Sequence, residues 1–552
     1  MLFLTTTVLA FVIRIFIALC TRTVFQPDEY FQALEPAHQI VFGYGHLTWE
    51  WLSPQPIRSI VYPALNVPIY WILKQTGLDS YGRIGDFLMV NSPRVLHGSF
   101  AALTDIWLCK LTRRTIGGRY ESSALLLSLT SLFHALSLSR SLSNSLETSL
   151  TTIALTYYPW DGFFAAQTRS DIQKMLFFAA MACSVRITNA IIWAFLLPSL
   201  FWRMRSNSKL LIMSCFDIAI IGGVTLGIIF VLDTIYYAQP TFTPFSFLVT
   251  NLSGVSLFYG NSPWHYYLSQ ALPILCTTSL PFVLDGIWST IYSGNPALQT
   301  LLGVIVWTIG VYSLAGHKEW RFIHPLLPIL HVLAAKSLVE RSSHKVEIKE
   351  KFNSQRIPIR RAFLGLLLVT LPISAWIVFV HCSGPLSVMS YIRRIPENEL
   401  RGGVVGFLMP CHSTPGHAYL HRPQLANGGL WALGCEPPLN NQNLSAYRDQ
   451  TKIFFANPHQ YLLDRFPNRV NPVFPKSPHP ASIPGQSTSD DRWLHEWPRY
   501  LVCFGALLEE HGVKEHLVGR GYEEVWKSGR SWEGDSDTRK GGVRIWKWRE
   551  KS

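Results

Sequence analysis

Residues 210–232 read LLIMSCFDIAIIGGVTLGIIFVL, a run of 23 residues that carries a single charged side chain. As an α-helix this run is about 34 Å long, which is enough to cross a hydrocarbon core of roughly 30 Å. Similar apolar runs recur from the N-terminus to about residue 380, and the whole chain is 48% hydrophobic but only 15% charged. Since backbone groups in lipid must be satisfied internally, the pattern predicts a polytopic α-helical membrane protein.

The apolar runs predict about eleven transmembrane helices. The first run contains Arg14 and lacks a small-residue cleavage site, so we interpret it as a retained anchor rather than a signal peptide. Arg186, Thr188 and Asn189 interrupt the stretch 174–202, which we interpret as a pair of short helices. The predicted helices are 3–20, 93–109, 121–138, 146–160, 175–185, 188–202, 210–232, 269–290, 299–316, 321–338 and 361–380.

Three loops rich in Lys and Arg set the predicted topology. They lie at 110–119, 203–209 and 341–361, and the positive-inside rule places them, with the N-terminus, in the cytosol. The remaining connections then share the lumenal face: 21–91, 140–145, 233–269, 317–321 and everything from 381 onward. We therefore predict a transmembrane domain, 1–380, with a first lumenal loop at 21–92, and a lumenal soluble domain of mixed α/β type at 381–552.

The net charge of +13 does not indicate a nucleic-acid partner, because short loops between apolar runs carry much of it. Asn-Leu-Ser occurs at Asn251 and Asn443, both on the predicted lumenal face, which suits N-glycosylation. The lumenal Cys382, Cys411, Cys435 and Cys503 would allow a disulfide such as Cys411 with Cys435, although the sequence leaves the pairing open.

The first polar cluster follows the opening helix, where Pro27 is succeeded by Asp28 and Glu29. One interpretation is helix capping, because proline and acids are favoured in a first turn. The other is catalytic: a carboxylate at the membrane surface can act as a general base. Both interpretations can hold together.

A second cluster, Thr48-Trp49-Glu50-Trp51, places an acid between two indole rings. An interfacial aromatic belt has this composition. A sugar-binding site has it too, since flat rings stack on sugars while acids bind hydroxyls, and Glu50 between Trp49 and Trp51 favours the sugar.

The densest cluster is His317-Lys318-Glu319-Trp320-Arg321, in a short turn between two apolar runs. Lys and Arg at helix ends often snorkel to the headgroups, which is the alternative interpretation. Snorkelling does not account for the His and Glu, and charges at membrane depth are usually functional. We predict that Lys318 and Arg321 bind a phosphate and stabilise the charge that develops as it departs.

Smaller candidates share the predicted lumenal face, and we predict that they contribute to substrate binding: Arg140, Asn144, Glu147, Asp233 and His265. The sequence has no P-loop, GxGxxG or HExxH motif. We therefore expect neither a metal nor a cofactor, because two cations suffice for a lipid-phosphate leaving group.

These residues resemble the GT-C class of mannosyltransferases that use dolichyl phosphate mannose in the endoplasmic reticulum, and within it the branch that builds GPI anchors. The matching stretches span most of the chain: Pro27-Asp28-Glu29-Tyr30, Phe42-Gly43-Tyr44-Gly45 through Trp51, Ser92-Pro93-Arg94 with Thr104-Asp105, Ser143-Asn144-Ser145 with Glu147, His317-Lys318-Glu319 with Arg321-Phe322, and Phe407-Leu408-Met409-Pro410-Cys411-His412-Ser413-Thr414-Pro415. Two departures are Gln26, where many members have His, and Ile187, where many have Pro.

The resemblance implies an inverting α-1,2 transfer of a third mannose from dolichyl phosphate mannose to a GPI precursor that carries two mannoses. Asp28 would be the base and Glu29 would orient it or bind sugar, while His317, Lys318 and Arg321 would bind the donor phosphate and Glu319 would bind substrate. A sister enzyme of N-glycan precursor assembly is the alternative within the class. A transporter of lipid-linked sugars is the alternative outside it, but the polar clusters lie at span ends and no inverted repeat is evident.

Overall fold

The structure is a computed structural model, and it describes residues 2–160, 168–252, 255–343, 359–401, 403–439, 446–476, 493–534 and 536–550. Within these residues, eighteen α-helices precede the C-terminal domain, and short 3-10 or π-helical turns join several of them. The helices are α1 Leu2–Cys20, α2 Glu35–Phe42, α3 Trp49–Leu52, α4 Val61–Ala64, α5 Val67–Gln75, α6 Gly82–Thr115, α7 Glu121–Leu129, α8 Ser143–Tyr157, α9 Thr168–Val185, α10 Ala190–Met204, α11 Ser208–Tyr237, α12 Thr243–Leu252, α13 Leu272–Cys276, α14 Leu280–Ile291, α15 Pro296–Ser313, α16 Leu327–Ser343, α17 Arg361–Leu368 and α18 Thr370–Phe379.

Helical structure occupies each of the apolar stretches that the sequence predicts as membrane helices. Within the described residues, six helical segments are long and apolar enough to cross a membrane, and the opening helix adds a shorter apolar segment at Thr5–Cys20. The six are Ile187–Met204, Ser208–Tyr237, Tyr267–Ile291, Pro296–Ser313, Trp320–Ser343 and Arg361–Arg393. A polytopic helical protein is therefore the correct class, while the count of about eleven crossings remains a prediction.

The break near residue 186 confirms the predicted pair of short helices. Helix α9 ends at Val185, Arg186 is extended with φ −146° and ψ 111°, and a 3-10 turn leads into α10. The Asn189 amide anchors this turn, because its Nδ2 donates to Glu147 and its Oδ1 accepts from Trp193. By contrast, α6 begins at Gly82 rather than near residue 93, so the segment between α1 and α6 ends earlier than the predicted loop 21–92.

The opening helix is held to α6 by a buried ion pair. Arg14 Nε lies 2.7 Å from Asp105 Oδ2, and neither side chain is exposed to solvent. Gly98 lets the helices approach, since a Cβ there would lie 3.1 Å from the Ala18 methyl. Removing one partner of such a pair costs about 3–5 kcal/mol, so Arg14 has a structural role within its apolar helix.

The C-terminal domain contains a mixed five-stranded sheet, which agrees with the α/β class predicted for it. Its strands are β1 Val405–Leu408, β2 Leu430–Ala432, β3 Tyr500–Phe504, β4 Tyr522–Ser528 and β5 Val543–Trp548, in the order β2-β1-β3-β5-β4. Strand β1 pairs in parallel with β2 and β3, and β5 is antiparallel to β3 and β4. The domain's helices are α19 Gly384–Arg393, α20 Glu397–Arg401, α21 His417–Leu420, α22 Gln450–Ala456, α23 Pro458–Arg465 and α24 Val513–Gly519.

Both faces of this sheet are covered. One core cluster contains Trp431, Phe454 and Trp497, and a second packs α19 residues such as Ile392 against Tyr500. Alternate side chains of a strand point to opposite faces, so burial of every residue in β1 and β3 places these strands in the middle layer. The loop that follows β1 therefore begins at the end of a buried central strand.

Candidate active site

Asp28 and Glu29 lie in the first turn after α1. The Pro27 carbonyl accepts the amides of Tyr30 and Phe31, both at 3.0 Å, and a π-helical turn, Tyr30–Leu34, follows. The two acids have different partners: Asp28 Oδ2 lies 2.5 Å from Arg321 Nη1, and Glu29 Oε2 lies 3.0 Å from Arg140 Nη1. Residues 28 and 321, far apart in sequence, are therefore in direct contact.

Arg321 is held by two carboxylates at once. Its Nε and Nη2 donate to Glu319 at 2.6 and 2.9 Å, while its Nη1 donates to Asp28. His317 Nε2 lies 3.3 Å from the same Glu319 carboxylate. Burial raises the pKa of Glu319, but the Arg321 charge and these hydrogen bonds outweigh it and bring that pKa below its usual range. Glu319 is therefore ionised and fixes the guanidinium plane.

Lys318 is directed away from this contact. Its buried ammonium donates to the Ser262 carbonyl at 2.8 Å. Of the three residues predicted to bind the donor phosphate, Arg321 is thus the one that adjoins Asp28, while Lys318 fastens the turn to the segment before Tyr267. His265, in that same segment, is exposed, and its Nδ1 lies 2.9 Å from Ser269 Oγ.

Three predicted substrate ligands form a buried layer beneath the Asp28–Arg321 contact. Arg140 donates to Glu29 and also to the Thr23 carbonyl at 2.6 Å. Asn144 Nδ2 donates to the Arg321 carbonyl at 3.2 Å, and Glu147 pairs with Arg186 at 3.2 Å. In this structure, these side chains orient the backbone and the cations around the site.

A cleft of about 630 Å³ opens beside this layer. Glu50 lies at its margin and is bound to Arg58 at 2.6 Å and to Gln32 at 3.0 Å, while Trp49 Nε1 donates to Tyr259. The cleft is lined by cationic, hydroxyl-bearing and apolar side chains. The lining residues include Trp51, Arg58, Ser143, Arg186, Ile229 and Phe247.

Asp233 fastens the far wall of the cleft. It accepts from Ser59 Oγ and the Ile60 amide, each at 2.9 Å, and from Thr243 Oγ1 at 2.5 Å. Both hydroxyl residues line the cleft. Asp233 thus holds the end of α11 against the segment between α1 and α6, and its carboxylate oxygens accept hydrogen bonds from the protein itself.

Arg58 is the cleft residue that the sequence motifs did not indicate. The Asp28 and Arg321 charges both act on it, which places it near their contact. The sequence contains a weak signal for it: Arg58 is the sole Lys or Arg between Arg22 and Lys74, in a stretch that holds four acids. A lone cation among acids in a lumenal loop indicates an ion pair.

The C-terminal domain contacts the segment between α1 and α6 through Glu35. This buried carboxylate accepts the amides of His46 and Ala418, both at 2.7 Å. A Cβ on Gly416 would lie 2.7 Å from the same carboxylate, so the position requires glycine. Burial raises the pKa of Glu35 to about 7, although the backbone donors oppose that shift. Beside it, His38 Nε2 lies 2.9 Å from His421 Nδ1.

Cys411 and Cys435 form a disulfide in the structure, one of the pairings that the sequence left open. Among the described residues, the one cluster of three metal-ligand side chains is Cys411, His412 and Cys435, and its sulfurs are already bonded to each other. Asn251 is exposed on α12, whereas Asn443 lies outside the described residues.

A helical membrane domain with an acid–guanidinium pair near a cleft, joined to an α/β domain, has the architecture of a membrane glycosyltransferase. The fold is similar to that of ArnT from Cupriavidus metallidurans bound to undecaprenyl phosphate, with a TM-score of 0.54 at 12% identity over 99% of this chain and 97% of that one.

Sequence comparison defines the family. A model of the Alg9-like mannosyltransferase family matches residues 5–421, and this chain belongs to that family. It is 33% identical to GPI mannosyltransferase 3 of Debaryomyces hansenii over 98% of this chain and 91% of that protein. It is also 33% identical to GPI alpha-1,2-mannosyltransferase 3 of Mus musculus, over 93% and 83%. The protein is therefore a mannosyltransferase, and the resemblance found in the sequence is confirmed.

Proposed function

We propose that this enzyme transfers mannose from dolichyl phosphate mannose to a GPI precursor that carries two mannoses, through an α-1,2 bond and with inversion, at the lumenal face of the endoplasmic reticulum membrane. The names of its relatives support the acceptor and the linkage. The observation that carries the mechanism is the 2.5 Å contact between Asp28 and Arg321 beside the cleft.

Asp28 is the base in this mechanism. It removes the proton from the acceptor 2-hydroxyl, and that oxygen attacks the anomeric carbon of the donor from the side opposite the phosphate. As the new carbon–oxygen bond forms, the bond from the anomeric carbon to the phosphate oxygen breaks and its electron pair remains on that oxygen. Dolichyl phosphate leaves, and the proton stays on Asp28.

Arg321 and Arg58 stabilise the departing phosphate. Arg321 touches the base, and Arg58 lines the cleft within electrostatic reach of both. Arg guanidinium groups bind phosphate in a two-pronged geometry, which suits a leaving group whose charge grows during the reaction. The apolar wall near Ile229 and Phe247 suits the first isoprene units of the lipid. The Lys318 ammonium, bound to the Ser262 carbonyl, holds the turn that presents Arg321.

The test offers two acceptors to the purified chain with radiolabelled dolichyl phosphate mannose. We expect label on the GPI precursor, removable by an α-1,2-mannosidase, and none on the dolichol-linked N-glycan precursor. Label on the dolichol-linked glycan alone would show that the enzyme is the sister mannosyltransferase. A glycan at Asn251, detected by endoglycosidase digestion and lost in Asn251→Gln, would place α12 in the lumen.

A further inference from the structure

The loop between β4 and β5 carries an indole ring that the protein leaves largely uncovered. Trp532 is 59% exposed. The loop around it is nevertheless held by the fold: the Arg530 carbonyl accepts the Glu533 amide at 3.2 Å, and Glu533 is buried. Gly541, on the returning side of the loop, lies so close to Gly505 that a Cβ on Gly541 would be 2.7 Å from the Gly505 Cα. The exposure of the ring is therefore a feature of the folded loop.

The ring lies against the lipid-facing side of a membrane helix. Trp532 stacks on Trp376 of α18, with ring centroids 6.3 Å apart and an angle of 6° between the planes. Val369, Ile373 and Trp376 are all exposed, and their spacing of four and three residues places them on one face. They belong to the apolar segment Arg361–Arg393, which is long enough to cross a membrane, so this face meets lipid. Trp532 therefore continues the lipid-facing stripe onto the C-terminal domain.

The position of Trp376 along its helix sets the depth of this contact. Helices α17 and α18 together cover residues 361–379, a length of about 29 Å and close to the thickness of a hydrocarbon core. Trp376 lies three residues, or about 5 Å, from the end of α18 that leads into the C-terminal domain. Trp is enriched at this depth, because its ring is apolar and its Nε1 donates a hydrogen bond.

A cation accompanies the ring. Arg530 is exposed, and its Cζ lies 5.6 Å from the centroid of the Trp532 ring. Guanidinium groups bind phosphate with paired hydrogen bonds. An indole beside a guanidinium, at the level where a membrane helix ends, matches the chemistry of a phospholipid headgroup layer, which offers both apolar glycerol–acyl groups and phosphates.

We propose that residues 530–533 dock the C-terminal domain on the phospholipid bilayer, with Trp532 among the headgroups of the leaflet nearest the domain and Arg530 at a lipid phosphate. The bilayer is the partner because the ring extends the lipid-facing stripe of α18. The docked loop holds the sheet to the membrane at a second place, beside the chain connection that follows α18. This role is separate from the transfer reaction and does not depend on which acceptor the enzyme uses.

The test places the photo-crosslinking residue p-benzoylphenylalanine at position 532 of the full-length chain, reconstituted in nanodiscs of radiolabelled phosphatidylcholine. The same probe in place of Val518 is the matched control. Val518 is also exposed, but it lies on α24, which covers the sheet face opposite to α19. After irradiation, the label on each chain is counted and mass spectrometry locates the modified peptide. Thermal unfolding of each variant is compared with that of the wild type.

We expect at least about tenfold more lipid label at position 532 than at position 518, since only the first lies at the level of the headgroups. Equal labelling at the two positions, or no lipid at position 532, would overturn the inference. If the position 532 variant does not fold, the probe at the exposed Arg530 position decides by the same ratio. A chain that labels lipid at position 532 but transfers no mannose refutes the proposed function alone.

Discussion

Replacing Asp28 by Asn removes the proposed base and leaves its surroundings nearly intact. The Asn carbonyl oxygen can still accept from Arg321 Nη1, and Glu319 holds the same guanidinium through two further hydrogen bonds. The pair is largely buried, with Arg321 9% and Asp28 18% exposed, so losing the Asp28 charge should lower the free energy of unfolding, but by less than the about 3–5 kcal/mol of a fully buried pair because Glu319 still neutralises the guanidinium. Removing a general base lowers kcat by about 10²–10⁴, or roughly 3–5 kcal/mol in the barrier.

The assay is the initial rate of mannose transfer by the purified chain, with thermal unfolding measured on the same preparation. Asp285→Asn is the matched control, because Asp285 pairs with Arg341 at the opposite end of the span that begins near Arg321, about 30 Å away. We expect the control to keep wild-type turnover. A folded Asp28→Asn enzyme within about threefold of wild-type kcat would refute the assignment of the base.

Four further outcomes are expected. Arg58→Ala should raise the donor KM at least about tenfold and leave the acceptor KM unchanged, since one phosphate contact is lost; equal effects on both would contradict this. Transfer should persist in excess chelator, and loss rescued by a divalent ion would contradict a metal-independent site. Gly416→Ala should lower the unfolding temperature, because its Cβ would strike Glu35. Burial lowers the pKa of His417 and His421 from 6.5 to about 4, so these two groups reduce stability as pH drops from 6.5 to 4, by about 1.4 kcal/mol per group at pH 5.5. The raised pKa of Glu35 acts in the opposite direction over this range, so the fall should be measured by melting the Glu35→Gln variant.

Hydrophobic runs predicted the helices of the first 380 residues well, because lipid leaves little choice between helix and other structure. The split at Arg186 was also predictable, since polar residues interrupt a run too short for two crossings. The start of α6 could not be predicted, because its first turns are polar and lie before the apolar run begins. The strand order of the C-terminal sheet depends on pairings between distant short strands, which no local pattern specifies.

The candidate site, like the fold, could be predicted from the sequence only in part. Loop charge placed Asp28 and Arg321 on one face, and the structure brings them into contact. The hydrogen bond from Lys318 could not be predicted, because its acceptor is a backbone carbonyl and the sequence does not reveal where carbonyl groups lie. The role predicted for Glu50 in binding sugar stays a prediction, and in the structure its carboxylate contacts Arg58 and Gln32. Residue types thus indicated which side chains form the cluster, while the ion pairs and hydrogen bonds between them could be read only from the structure.

The pairing explains how one arginine serves both the base and the leaving group in the proposed reaction. Before transfer, Asp28 is an anion that shares Arg321, and the donor phosphate diester carries one negative charge. After transfer, Asp28 is neutral because it holds the acceptor proton, and the phosphate monoester carries a second negative charge. The site therefore loses one negative charge where Arg321 touches Asp28 and gains one at the phosphate. As its attraction to Asp28 weakens, the guanidinium can shift toward the phosphate while Glu319 keeps its plane fixed. Lysine cannot span both partners, since its ammonium lacks the forked geometry, and Arg321→Lys should therefore slow transfer more than it weakens donor binding.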